Sequence, residues 1–139
     1  MTTLNRAAAE ALRPLAPNAV TDVTGFGLLG HVHETAARSG VGVELDGSEL
    51  PALAGARELA AAGVETGGAR RNRDFAGPHV ESSVDRVIEA LAYDPQTAGG
   101  LLVTLPADRA AVARAALGAA GISSWRIGRV VDGSGIALR

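Results

Sequence analysis

Apolar positions along the chain recur with a helical period in some stretches and alternate or run together in others. Near the start, Ala8, Leu12 and Leu15 can share one face of a helix over residues 4–12, which Pro14 and Pro17 then stop. "AVTDV" (19–23) reads as a short extended segment. The helical period returns in "GFGLLGHVHETAAR" (25–38), with Thr24 as its N-cap, Arg38 in its last turn and Gly40 as its terminating residue. "VGVELD" (41–46) alternates and predicts a strand. "PALAGARELAAAG" (51–63) predicts a second helix, closed by Gly63. Residues 64–80, "VETGGARRNRDFAGPHV", are rich in Gly and Arg and show no period, which predicts a long loop. "SVDRVIEALAY" (83–93) predicts a short helix. "DPQTAGG" (94–100) is rich in turn formers and feeds the apolar strand "LLVTL" (101–105). "PADRAAVARAALGAAG" (106–121) is an amphipathic helix with Pro106 at its start and Gly121 at its end. "SSWRIGRVVDG" and "GIALR" predict a closing strand pair around the turn "DGSG". This order of helices and strands indicates a mixed α/β or α+β layered domain.

Composition narrows the chemistry more than the fold. The hydrophobic fraction of 47% in 139 residues is enough for one genuine core, and aromatics at 3% mean that small aliphatic side chains must fill it. A net charge of −2 gives no electrostatic case for nucleic acid or an anionic membrane. All 13 basic residues are Arg, so no reaction needing a lysine amine can be completed by this chain alone. There is no Cys, which excludes disulfides, thiolate metal sites and a cysteine nucleophile. No apolar run approaches the roughly 20 residues of a membrane span, and "MTTLNRAAAEALRPL" lacks the apolar region of a signal peptide. The expected compartment is therefore the cytoplasm.

The stretch "TDVTGFGLLGH" (21–31) carries G-x-G-x-x-G at Gly25, Gly27 and Gly30. One reading is a dinucleotide cradle, with Asp46, 21 residues beyond Gly25, as the ribose-binding acid. Against it, the strand before such a turn is normally a buried apolar run, whereas this one carries Asp22. A second reading makes the glycines simply permissive of tight helix packing. A third starts from Asp22: a carboxylate just ahead of a helix N-terminus can hold a hard divalent cation while the helix amides face a phosphate bound to it. Magnesium usually takes one or two protein carboxylates plus phosphate oxygens, so Asp22 would be one ligand among several.

Three other clusters invite chemistry. His31 and His33, two apart on a helix, point about 200° from one another and cannot grip one ion. In "GGARRNR", Arg70, Arg71 and Arg73 can clamp phosphate oxygens through forked donors, or form a solvated loop. In "DPQTAGG", Thr97, Gly99 and Gly100 can bring amides near a ligand, or only turn the chain.

Taken in order, "LNRAAAEA", "TDVTGFGLLGHVHE", "GGARRNR" and "DPQTAGGLL" resemble the C-terminal domain of the selenophosphate synthetase (selenide, water dikinase) family, within the wider aminoimidazole ribonucleotide synthetase superfamily. The resemblance covers nearly the whole chain. It implies an α+β domain with a mixed sheet covered by helices, following an ATP-binding domain. On that reading residues 1–17 are a helix and linker from the missing domain and residues 18–139 are the domain itself. The implied enzyme converts ATP, selenide and water to selenophosphate, AMP and phosphate, uses Mg2+, and works as a homodimer. Asp22 matches the family's magnesium ligand. Thr24 and Gly25 are expected beside that site on geometry, and Arg70, Arg71 and Asn72 are expected at phosphate or product.

The chain also departs from the family. The family's Cys or selenocysteine, its Lys and its further Asp ligands lie in an N-terminal half, and this chain has neither Cys nor Lys. Ala98 stands where a serine is common. The expectation is an excised domain, a separately encoded half or a truncated product, with no catalytic residue of its own and inactive alone. A stand-alone binding or assembly module is the alternative from another class.

Overall fold

The computed structural model describes residues 4–139. In chain order the elements are α1 (Arg6–Leu12), β1 (Ala19–Asp22), α2 (Gly27–Ser39), β2 (Gly42–Leu45), α3 (Ala56–Ala61), α4 (Gly67–Ala76), β3 (Val80–Ser82), α5 (Arg86–Tyr93), β4 (Leu101–Thr104), α6 (Ala110–Ala119), β5 (Gly128–Val131) and β6 (Ile136–Leu138). They fall into two units. One holds the described residues up to Val23 together with Ala98–Ser124, and the other holds Thr24–Thr97 and Trp125–Arg139. The architecture is α+β, as the pattern predicts. Among the described residues no helix is long and apolar enough to cross a membrane.

In the first unit, the face predicted for the opening helix is the one that packs. Ala8 and Leu12 of α1 meet Ala113 and Leu117 of α6, with Leu15, Leu101 and Val103 against them. Pro14 ends the α-helix in a short 3-10 turn, Arg13–Leu15. β1 and β4 form an antiparallel ribbon that pairs Ala19 with Thr104 and Asp22 with Leu101. Beyond the ribbon, the Val23 N–H donates to the Gly100 carbonyl and the Gly99 N–H to the Val23 carbonyl, so the chain stays paired past the last strand residue.

The second unit is built on a four-stranded sheet of order β3-β6-β2-β5. The closing strands do not pair with each other as the sequence suggests. β5 is antiparallel to β2 and β6 is parallel to it, so the two straddle β2. The start of β2 is closely covered there: a Cβ at Gly42 would lie 3.1 Å from Val131 Cγ2 and 3.5 Å from the Asp132 carbonyl oxygen. "DGSG" is still the turn, but it arches over the start of β2. β3, parallel to β6, is an element the sequence pattern misses.

The predicted loop at 64–80 contains a helix instead. The Thr66 hydroxyl accepts the Ala69 N–H at 3.1 Å and caps α4, a contribution of about 1 kcal/mol. Ala69, Asn72 and Ala76, spaced three and four apart, form its buried face. Small and polar residues on that face hid its period. The other helices sit where expected with shifted ends. α2 closes at Gly40 in the left-handed conformation, α5 is capped by Asp85, and only residues 56–61 of the predicted 51–63 are α-helical.

Candidate functional site

The glycines of the 21–31 stretch have separate jobs. Gly27 has φ +66°, and a Cβ on it would lie 2.7 Å from the Tyr93 carbonyl oxygen. At Gly30 a Cβ would lie 2.7 Å from Phe26 Cβ. Both are required by packing within the second unit. Gly25 is exposed, lies outside the left-handed region, and has nothing within 4 Å of where a Cβ would stand.

The turn from Thr24 to Gly27 is held by three segments of the second unit. Thr24 does not cap α2, whose N-cap position is Phe26 with no side-chain bond. Its N–H instead donates to His31 Nε2 at 3.0 Å, and its Oγ1 lies 3.1 Å from the same nitrogen. The Thr24 carbonyl accepts the N–H groups of Gly27 (3.0 Å) and Gln96 (2.9 Å). From α4, Asn72 Nδ2 donates to the Gly25 carbonyl and to the Tyr93 carbonyl, both at 2.9 Å. Because both partners are carbonyl oxygens, the amide orientation is fixed by chemistry. The N–H groups of Gly25 and Phe26 donate to no other group among the described residues.

Asp22 ends β1 in the first unit. It is exposed, and its carboxylate makes no hydrogen bond or ion pair among the described residues. Val20, two residues earlier, lines an open groove of about 370 Å³ with α1 and Pro17. Leu101, the register partner of Asp22, lines it too. Among the described residues no group of three or more His, Asp or Glu is placed to hold a metal ion. A lone, exposed, unpaired carboxylate fits the partial donor set that magnesium takes from a protein when phosphate oxygens complete its shell.

The arginines of α4 divide. Arg70 and Arg71 are exposed and form no ion pair among the described residues. Arg73 pairs with Glu65, reaches Glu89 at 4.0 Å and lies over the Tyr93 ring at 5.1 Å. Burial pushes the Tyr93 phenol above its ordinary value and Glu89 adds to this, while Arg73 opposes it. Asn72 is 5% exposed with both amide hydrogens engaged, so the fold does not bring it together with the free heads of Arg70 and Arg71. Thr97, the first of the "DPQTAGG" candidates, is exposed.

The two histidines of α2 separate as their spacing requires. His31 is buried and His33 half-buried, stacked on His79 with ring centroids 4.2 Å apart and 11° between planes. Phe75, 51% exposed, meets His33 edge-on at 5.4 Å and Phe26 at 5.9 Å.

The dinucleotide alternative fails on topology. Such a cradle needs neighbouring parallel strands joined by the helix. β1 is instead antiparallel to β4, and β2 belongs to another sheet. Asp46 is engaged elsewhere: it accepts the Ser48 hydroxyl at 2.6 Å and the Ser48 N–H at 2.9 Å, which hold its carboxyl below the usual value.

Sequence reasoning missed His31 and Gln96 as holders of the turn. His31 offered a signal, a polar ring among the apolar positions of α2. Gln96 offered none, since it acts through its backbone.

Comparison with known proteins agrees with this architecture. Residues 2–139 match the family model described as AIR synthase related protein, C-terminal domain. The chain is 46% identical over 109 residues to the selenide, water dikinase of Caldanaerobacter subterraneus subsp. tengcongensis, covering 77% of this chain and 31% of that protein. It is 41% identical over 135 residues to selenide, water dikinase 2 of Peptoclostridium acidaminophilum, covering 95% and 39%. Thus it spans about a third to two fifths of the length of these relatives. Among solved structures, thiamine-monophosphate kinase from Stenotrophomonas maltophilia K279a is similar at TM-score 0.61 and 27% identity, over 91% of this chain and 32% of that one. E. coli HypE, a hydrogenase maturation protein, shares the fold at TM-score 0.63 and 23% identity, over 98% and 36%.

Proposed function

We propose, because this chain belongs to the AIR synthase related protein C-terminal domain family, that it forms the C-terminal part of a selenophosphate synthetase. The observation that carries this reading is its 41–46% identity with selenide, water dikinases over 77–95% of its residues. In the whole enzyme ATP, selenide and water become selenophosphate, AMP and phosphate. An N-terminal ATP-binding domain, joined through residues 1–17, holds most of the nucleotide and supplies the Cys or selenocysteine and Lys that this chain lacks. The assembled enzyme is a homodimer.

Asp22 contributes one oxygen to Mg2+, which neutralises phosphate charge when bound. Gly25 presents its free N–H toward phosphate, and Thr24, whose own N–H is held by His31, sets the turn beside it. Arg70 and Arg71 offer forked donors to phosphate oxygens, and Asn72 serves the same chemistry by holding the Gly25 carbonyl. Phosphoryl transfer depends chiefly on positioning and charge stabilisation, so a domain that provides a wall and one ligand is inert alone. This reading is supported by the free Asp22 carboxylate and by the absence of any internal demand for glycine at position 25.

Complementation tests it. The purified chain is mixed with the N-terminal part of the Peptoclostridium acidaminophilum relative, and selenide-dependent AMP formation from ATP is measured. The mixture should turn over, the chain alone should not, and Asp22→Asn should abolish the restored activity. Turnover by the chain alone, or an unaffected Asp22→Asn mixture, would refute the proposal.

A further inference from the structure

The function proposed above leaves one buried titratable group without a task. His31, in the second turn of α2, is 7% exposed. Its Nε2 receives the Thr24 N–H at 3.0 Å. An imidazole nitrogen that accepts from a backbone amide carries no hydrogen, so the ring hydrogen is on Nδ1. The amide it serves is one that α2 cannot satisfy, since Thr24 lies ahead of the helix and no carbonyl accepts its N–H among the described residues. Phe26 packs beside the imidazole, with centroids 5.5 Å apart and planes tilted by 56°, so the ring is hemmed in by the same turn it holds.

We infer that His31 is a positioning residue for the turn that carries Thr24 and Gly25. Its Nε2 fixes the peptide entering Thr24, and Asn72 Nδ2 fixes the carbonyl leaving Gly25. The short segment is thereby clamped on both sides before a ligand arrives, and the Gly25 and Phe26 N–H groups stay unengaged among the described residues. A turn that had to be ordered on binding would lose affinity to that ordering. The inference rests on the reading of Thr24 and Gly25 as neighbours of a metal-bound phosphate.

Two isosteres separate positioning from packing. Gln at position 31 can bring an acceptor oxygen to about the place of Nε2, whereas Leu fills similar space with no acceptor. Nitrogen NMR of the unmodified chain should show His31 bare at Nε2 and protonated at Nδ1. Exchange of the Thr24 amide with solvent should be about tenfold faster in His31→Leu than in the unmodified chain, and nearly unchanged in His31→Gln. The Val32 and Ala36 amides, inside the helix ladder, report whether α2 itself remains intact. A proton on Nε2 in the unmodified chain, which needs no variant to fold, would overturn the inference, as would equal exchange in both variants. The complementation mixture supplies the second arm, read as selenide-dependent AMP formation. Turnover should be several-fold lower with His31→Leu than with His31→Gln, and no difference between them would refute the ligand side of the inference. An Asp22→Asn mixture that turns over unchanged would refute the site reading itself, and the exchange rates would still decide whether His31 sets the turn.

Discussion

Asn72 Nδ2 donates to the Gly25 carbonyl at 2.9 Å across 47 residues of sequence, and its second hydrogen reaches the Tyr93 carbonyl at the same distance. A single buried amide on α4 therefore ties the turn before α2 to the end of α5. Among the described residues neither carbonyl is claimed by another donor, so the amide has no substitute there. Asn72→Leu, similar in volume, should cost about 2–3 kcal/mol, because two inward carbonyls lose their donor at once. Asn72→Asp should cost more, since a carboxylate would face two carbonyl oxygens. Urea unfolding measures both, and a loss below about 0.5 kcal/mol for Asn72→Leu would contradict the bonding described.

Gly25 and Gly27, two residues apart, should respond oppositely to the same substitution. Gly27→Ala places a methyl group against the Tyr93 carbonyl oxygen in a left-handed backbone, which should cost about 2 kcal/mol or more. Gly25→Ala meets open space and should leave the melting temperature unchanged. In the complementation mixture, however, Gly25→Ala should weaken turnover if the proposed function is right, because that reading brings phosphate to the space the methyl group would fill. Thermal unfolding beside the activity assay separates these effects.

Among the described residues the Asp22 carboxylate makes no hydrogen bond or ion pair, and only its backbone belongs to the β1–β4 ribbon. Asp22→Asn should accordingly shift stability by less than about 0.5 kcal/mol. The comparison to make is the unfolding curve of Asp22→Asn against that of the unmodified chain. A substantial loss would mean that the carboxylate has a structural partner and is not available to a cation.

The stacked pair His33 and His79 predicts a pH dependence of stability. Burial holds His33 below its ordinary 6.5, and the neighbouring His79 lowers it further, while Glu34 opposes both. The folded chain therefore binds the His33 proton less tightly than the unfolded chain. Where the unfolded state holds more protons, stability rises with pH, so it should fall as pH is lowered through 6.5 and below. His79→Ala removes one of the two lowering influences and should flatten that slope. Urea unfolding at a series of pH values provides the test, and an unchanged slope would remove His79 as a cause.

Local signals explain what could be read before the fold was known. Gly40 ends α2 and Pro14 ends α1 because backbone geometry at those residues is a property of the residue itself. The packed face of α1 was legible because Ala8 and Leu12 are apolar at helical spacing. α4 was not, because its buried face is two alanines and an asparagine, which leave no apolar stripe, although Thr66 ahead of Ala69 was a usable capping signal. The β5–β6 arrangement failed for a different reason. A short turn between two strands suggests a hairpin, and nothing local shows that a third strand will enter between them.

By itself the sequence determined the class of the fold, the absence of thiol and amine chemistry and, through its ordered motifs, the family. Each of these follows from residue identity or from short-range periodicity. Tertiary structure alone decided that His31 turns inward to Thr24 while His33 faces His79, and that Asn72 holds Gly25 apart from its arginine neighbours. It also decided that of three glycines only Gly25 is free of any internal constraint. Those outcomes depend on which carbonyl, ring or methyl group arrives from a distant part of the chain. Composition and spacing carry no record of that arrival.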